Sequence, residues 1–179
     1  MEDGKTESGR LAALHGYGIL DTPPEPEFDA IVQQAACLLN TPIALISLID
    51  ERRQWFKARV GLSVQETPRS IAFCAHAIAG NGIMIVVDAT KDPRFMNSPL
   101  VRFDPSIRFY AGAVLKDRQG HRLGTICVID QQPRPGLSRE KIAVLQGLGK
   151  KVIDLLEQRQ RKRRELSQPV DCQQRSLSR

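Results

Sequence analysis

Apolar side chains recur at helical spacing near both ends of this chain and in strand-like runs between them. Phe28, Ile31, Val32, Ala35, Leu38 and Leu39 share one face at a period of about 3.6, which predicts a helix that Asn40 and Pro42 terminate. Just before it, Thr22-Pro23-Pro24-Glu25 has the form of a capping box, in which a threonine N-cap, an early proline and a glutamate satisfy the open amides of a helix start. Residues 1–9 carry no periodicity and are expected to be disordered. A short helix with Leu11 and Leu14 on one side is expected next, weakened by Gly16 and Gly18.

Ile43–Asp50 is apolar and β-branched, the composition of a buried strand. Glu51-Arg52-Arg53 connects it tightly to a second strand, Gln54–Val60, in which Trp55, Lys57 and Arg59 alternate with Phe56, Ala58 and Val60. Following a loop that ends Thr67-Pro68-Arg69, Ser70 is placed to cap a helix from Ile71 to Ala79, closed by Gly80. Ile83–Val87 reads as a short strand. Asp88–Ser106, with three prolines, reads as a long loop of the kind that often serves as a lid, with room for a helical turn. Ile107–Lys116 and Arg122–Asp130 form two further strands joined by the turn Asp117-Arg118-Gln119-Gly120. Beyond Pro133 and Pro135, Ser138 caps a long helix from Arg139 to about Leu166. Tight turns cannot join parallel neighbours, so hairpins bracketed by terminal helices predict an α+β fold on a central antiparallel sheet of five or six strands.

With 179 residues, 41% apolar and 26% charged, the chain has the balance of one ordinary soluble domain. Its longest mostly apolar run, Ile43–Ile49, falls far short of the ~20 residues that cross a bilayer. The opening Met1–Arg10 is acidic and polar where a secretory signal is basic and then apolar, so a cytoplasmic location is expected. Cys37, Cys74, Cys127 and Cys172 form no C-x-x-C pair, which argues against structural zinc and a disulfide framework. The net charge of +6 is concentrated in the tail, where seven basic residues from Arg159 onward face only Glu165 and Asp171. The body is therefore near neutral, and neither nucleic acid nor a membrane is expected as a partner. The implied division is a disordered stretch over 1–9, a folded domain over 10–158, and a basic helix end with a flexible tail over 159–179.

Six stretches together resemble the GAF domains, sensory modules of signalling proteins: Ile19–Asp29, Ser47–Leu62, Thr67–Ile78, Val86–Phe95, Arg108–Leu115 and Gly120–Asp130. The likeness is to the bacterial subgroup found ahead of histidine kinases, diguanylate cyclases and PAS domains. It implies terminal helices packed on one face of the sheet and a ligand cavity on the other, beneath the Ile71 helix and the long loop. It further implies a homodimer that relays occupancy through its terminal helices to a separate output protein such as a histidine kinase or cyclase, with no catalytic role of its own. The cyclic-nucleotide signature of some GAF domains is missing. A bilin-type Cys-His pair is interrupted by Ala75 in Cys74-Ala75-His76, and Asp92-Pro93-Arg94-Phe95 carries arginine where certain photoreceptors have a second cysteine. The free methionine sulfoxide reductases, GAF proteins that are enzymes, need a set of cysteines with no match in Cys37, Cys74 and Cys127.

The cavity candidates are Trp55, Arg69, Cys74, His76, Asp92, Phe95 and Tyr110. Arginine grips carboxylates and phosphates with paired hydrogen bonds, and aromatic walls with one polar handle suit a small molecule. Each residue has a plainer reading as well. Cys74 falls with Ile71, Ala75 and Ile78 on an apolar helical face, as core, cavity wall or redox thiol, whereas His76, about 200° round the helix from it, contacts a ligand or makes a structural hydrogen bond. Asp88 and Asp92 fit turn capping, Arg94 sits beside them, and the aromatics fit core packing. A thiol-based redox enzyme or sensor using Cys74 or Cys127 is the alternative function. No cofactor is specified, and His15, His76 and His121 lie in different elements, so no metal site is expected.

Overall fold

The computed structural model describes residues 6–167, so Cys172 and most of the expected flexible tail lie outside the described residues, as do the first five. Six strands, β1 (Ile43–Ile49), β2 (Arg53–Val60), β3 (Glu66–Pro68), β4 (Ile83–Val86), β5 (Phe109–Lys116) and β6 (Arg122–Asp130), form one antiparallel sheet. Their order is β3-β2-β1-β6-β5-β4. Helices α1 (Glu7–Tyr17), α2 (Pro26–Leu39) and α5 (Arg139–Ser167) cover one face. The short helices α3 (Phe73–Ala77) and α4 (Pro99–Arg102), with the β4–β5 connection, cover the other. The α+β antiparallel architecture is the one the hairpin and helix signals predict.

The strands β1 and β6 lie at the centre, and β1 is buried along its whole length. Its side chains serve two cores by parity. Ala44, Ile46 and Leu48 meet Val32, Ala35 and Leu39 of α2 with Leu148, Val152 and Leu156 of α5, while Ile43, Leu45 and Ile49 face Phe73, Phe95 and Tyr110. Gly124 makes the central pairing possible, because a Cβ there would lie 1.9 Å from the carbonyl oxygen of Ser47. No helix among the described residues is long and apolar enough to cross a membrane.

Several local expectations fail for physical reasons. Ordered chain begins ahead of residue 10: α1 starts at Glu7, with Thr6 accepting from the Gly9 amide at 3.1 Å. Gly18 ends α1 in the left-handed conformation at φ 55 and so stops the helix more than it weakens it. Thr22 does not cap α2. Its hydroxyl donates to Ile19 O and accepts from Lys57 Nζ, which leaves Glu25 as N-cap with no side-chain cap bond. Leu38 is about half exposed. Glu66–Pro68, expected as loop, adds β3 to the edge of β2. Ser70 caps nothing, because Arg69–Ile71 is a 3₁₀ turn and α3 begins at Phe73 behind an extended Ala72.

The alternation along β2 is broken by a bulge. Ile46 pairs with Ala58 and Ser47 with Phe56, so Lys57 is the extra residue, and the phase of β2 inverts across it. Trp55, Ala58 and Val60 consequently all meet the terminal-helix core, against the alternation expected from sequence. Lys57 carries its ammonium into the interior with no exposed side-chain surface. Three oxygens receive it: Thr22 Oγ1 at 3.0 Å, Pro23 O at 2.7 Å and Glu25 Oε1 at 2.7 Å. Glu25 Oε1 also accepts from Arg159 Nε at 3.0 Å.

Replacing Glu25 by Ala leaves the Lys57 charge buried against neutral oxygens only. A loss of about 3 kcal/mol is expected in urea unfolding, the lower part of the range for broken buried pairs because Glu25 is itself a third exposed. Lys57→Met combined with Glu25→Gln should recover much of that loss; a Glu25→Ala protein as stable as the parent would show the pair to be dispensable. Acid acts at a second place. Hydrogen bonds from Arg10 and Arg69 hold Glu7 down to about 2, below its ordinary 4.5. Its ionised form favours the fold, so its contribution is complete above about 4.5 and disappears as pH falls toward 2. Urea midpoints between pH 6 and 2 should therefore fall less steeply for Glu7→Gln than for the parent.

Candidate functional site

The residues expected at a cavity divide between two faces of the sheet. Trp55 is on the terminal-helix side, one position out of phase with Phe56, and takes no part in the site. Cys74, Phe95 and Tyr110 meet on the opposite side, where α3 and the β4–β5 connection lie over β1, β5 and β6. His76, Asp92 and Arg94 form the outer rim of this cluster. Arg69 is displaced from it toward α1.

The inward face of α3 follows from where the helix starts. Counting from Phe73, the buried positions are Phe73, Cys74 and Ala77, continued by Ile78, with Ala75 partly buried beside them and His76 turned outward. Phe73 stacks on Phe95 with ring centroids 4.0 Å apart and planes within 10°. Tyr110 leans on Phe73 at 5.4 Å, and His76 meets the Phe95 ring edge-on at 4.9 Å. The Arg94 guanidinium lies over the other part of Phe95 at 4.9 Å. The space beneath the loop is therefore filled by aromatic side chains, with Phe95 as the plug that the loop itself supplies.

Asp92 holds this plug in place. Its carboxylate accepts from Arg94 N at 3.0 Å, from Nε at 3.0 Å and from Nη2 at 2.6 Å, and the arginine keeps it ionised below the usual carboxylate range. Asp88 caps a neighbouring turn, accepting from the amide and hydroxyl of Thr90. Both aspartates thus perform the turn role that their sequence setting allows. Arg69 donates to Glu7 Oε1 at 2.6 Å and to Asp50 O at 3.0 Å. With Arg52, Ser70 and His76 it lines an open groove of about 600 Å³ on the outer side of α3.

Beneath the aromatic layer is a buried polar cluster that sequence reasoning did not assemble. Cys74 Sγ lies 3.3 Å from Tyr110 Oη, 3.5 Å from Ser47 Oγ and 3.8 Å from Cys127 Sγ. All four side chains are buried. Burial raises the Cys74 thiol, but hydrogen bonds from the facing Cys127 thiol and the neighbouring hydroxyls draw it below its ordinary value. The same contact pushes Cys127 well above its ordinary value, and burial does so for Tyr110. Ser47 carried a signal in the sequence, as the one hydroxyl within an otherwise apolar run. The pairing of Cys74 with Cys127 carried none, since 53 residues separate them.

Residues 23–152 match the GAF domain family. Over 147 residues, 82% of its length, the chain is 44% identical to a cyclic di-GMP phosphodiesterase of Pseudomonas aeruginosa, of which it spans 25%. The solved GAF domain of an Acinetobacter phosphoenolpyruvate-protein phosphotransferase superposes with a TM-score of 0.62 at 18% identity, covering 87% of this chain and 97% of that one. A type II free methionine-R-sulfoxide reductase of Thermoplasma acidophilum superposes at 0.61 with 18% identity, covering 74% and 92%. Likeness at that identity is one of fold alone. The extent of the family match and the 44% identity settle the affiliation: the chain belongs to the GAF domain family.

Proposed function

We propose that this chain is a cytoplasmic sensory module which takes up a small molecule on the α3 side of the sheet and relays its occupancy through α1 and α5 of a homodimer to a signalling output. The observation that carries this reading is the layering. A short helix and a loop hold an aromatic plug on one face, and the two terminal helices are joined to each other on the opposite face. A ligand with a flat apolar body replaces Phe95 against Phe73, with Arg94 and His76 at its polar edge. It shifts the equilibrium only so far as it binds the plug-open state more tightly than the plug-closed one.

The similar phosphodiesterase supports an output in cyclic di-GMP turnover, in a part of the signalling system beyond the quarter of that relative which the chain spans. A kinase or cyclase output, implied by the subgroup, is the other form of the same relay. We read the role as regulatory: Asp92 and Asp88, the carboxylates near α3, are committed to holding turns, Asp92 through Arg94 and Asp88 through Thr90. Neither is poised to exchange a proton near neutral pH.

Native mass spectrometry of the protein purified without denaturation tests the proposal. The expected species has twice the 20.0 kDa mass of the chain and carries a small noncovalent adduct that departs on denaturation. A bare monomer would overturn it. Phe95→Ala should cost about 3 kcal/mol in urea unfolding by opening a cavity over Phe73, and should alter retention of the adduct. Retention identical to the parent would remove Phe95 from the binding site.

A further inference from the structure

We propose that Cys74 and Cys127 are a built dithiol that closes to an intramolecular disulfide under peroxide, a modification site that fastens α3 to the central strand β6. The proposal is independent of any ligand. It rests on the geometry of two thiols carried by different layers of the fold, 3.8 Å apart and buried side by side.

Their setting favours a directed reaction over incidental proximity. Cys74 Sγ is the centre of the cluster: Tyr110 Oη and Ser47 Oγ both lie within hydrogen-bonding distance of it, while Cys127 stands behind it on β6. Cys74, which faces both hydroxyls and the second thiol, is assigned as the attacking sulfur. It is also the outer of the two, on a helix of five residues whose start has no side-chain cap. Access by an oxidant the size of hydrogen peroxide requires a local opening of that helix, and the proposal includes it.

The chemistry balances with peroxide as the two-electron oxidant. The Cys74 thiolate attacks one peroxide oxygen and the O–O bond breaks. Cys74 becomes a sulfenic acid, and the departing hydroxide takes up the proton released when the thiolate formed, giving water. Cys127 then attacks the Cys74 sulfur, the S–O bond breaks, and hydroxide leaves with the Cys127 proton as a second water. Two thiols and one peroxide thus yield one disulfide and two waters. The sulfurs must approach from 3.8 Å to about 2.05 Å. That movement draws α3 toward the sheet and tightens the layer which carries the Phe73–Phe95 stack.

The test uses the full chain with Cys37→Ser and Cys172→Ser, which removes the exposed Cys37 thiol and the tail thiol. The native protein is treated with hydrogen peroxide, then denatured in iodoacetamide and weighed. Loss of both alkylations, a mass lower by two hydrogens before alkylation, and a proteolytic fragment joining Cys74 to Cys127 are expected, all reversed by dithiothreitol. Both thiols remaining fully alkylated, under an exposure that oxidises Cys37 in the parent, would overturn the proposal. So would a Cys74 that proceeds to the sulfinic acid while Cys127 stays reduced. A Cys127→Ala variant in the same background should lose the linked fragment. Because the linkage is read in protein retaining both thiols, the result does not depend on how well that variant folds.

Discussion

An ammonium group with no exposed surface is costly to fold around unless oxygens receive it, and Lys57 is such a group, received by three. It occupies the extra position of the β2 bulge, where it points away from the sheet instead of pairing with β1. The segment between α1 and α2 is shaped around it. Thr22, Pro23 and Glu25 each turn an oxygen toward the nitrogen, and Phe28 lies beneath it with its ring centroid 5.2 Å away. The two prolines restrict that segment before folding, so less conformational entropy is lost in presenting the oxygens.

The same demand organises the far end of α5. Glu25 accepts from both Lys57 and Arg159, and Arg159 continues to Gly18 O at 2.8 Å. Arg163 donates to Tyr17 O at 2.8 Å and Gln160 to Gly16 O at 3.0 Å. These are the carbonyls left open at the C-terminus of α1, the negative end of its dipole, and basic side chains complement them. Part of what reads in the sequence as a solvated basic run is thus a clamp between the terminal helices. Gly18 belongs to it as well, since a Cβ there would lie 1.7 Å from Arg163 Nη1.

The architecture was legible because it depends on periodicity. The apolar rows of α2 and α5, the continuous run of β1 and the Asp117–Gly120 turn each specify an element from local sequence alone. What escaped depends on pairing across distance. The bulge is invisible in an alternating string, since Trp55, Phe56, Lys57 and Ala58 read equally well in an unbroken strand, and only the register against Ile46 and Ser47 shows where one residue is skipped. The Thr22 cap failed because its hydroxyl answers a buried lysine 35 residues away before it answers the next helix. At the candidate site the resemblance named Cys74, Phe95 and Tyr110, which the fold gathers on the α3 side, but gave no sign that Phe95 fills the space itself. Trp55 went astray by a single step of strand parity.

The bulge also bears on how the proposed relay crosses the sheet. A sheet is stiff along its strands, and a signal from the α3 face to the terminal helices needs a place where the two faces share a deformable point. Ser47 and Lys57 provide one. Ser47 reaches Cys74 on the α3 side, its pairing partner is Phe56, and the next residue along β2 is the unpaired Lys57, which faces Glu25 and through it Arg159. A bulge is where a ladder yields most readily, because its extra residue is not held by a partner strand. The buried charge at that position sets the opposite tendency, since any displacement that lengthens the Lys57 contacts leaves an ammonium without acceptors. In the proposed relay, a displacement of Ser47 is thus passed on through the Lys57, Glu25 and Arg159 contacts instead of being absorbed at the bulge.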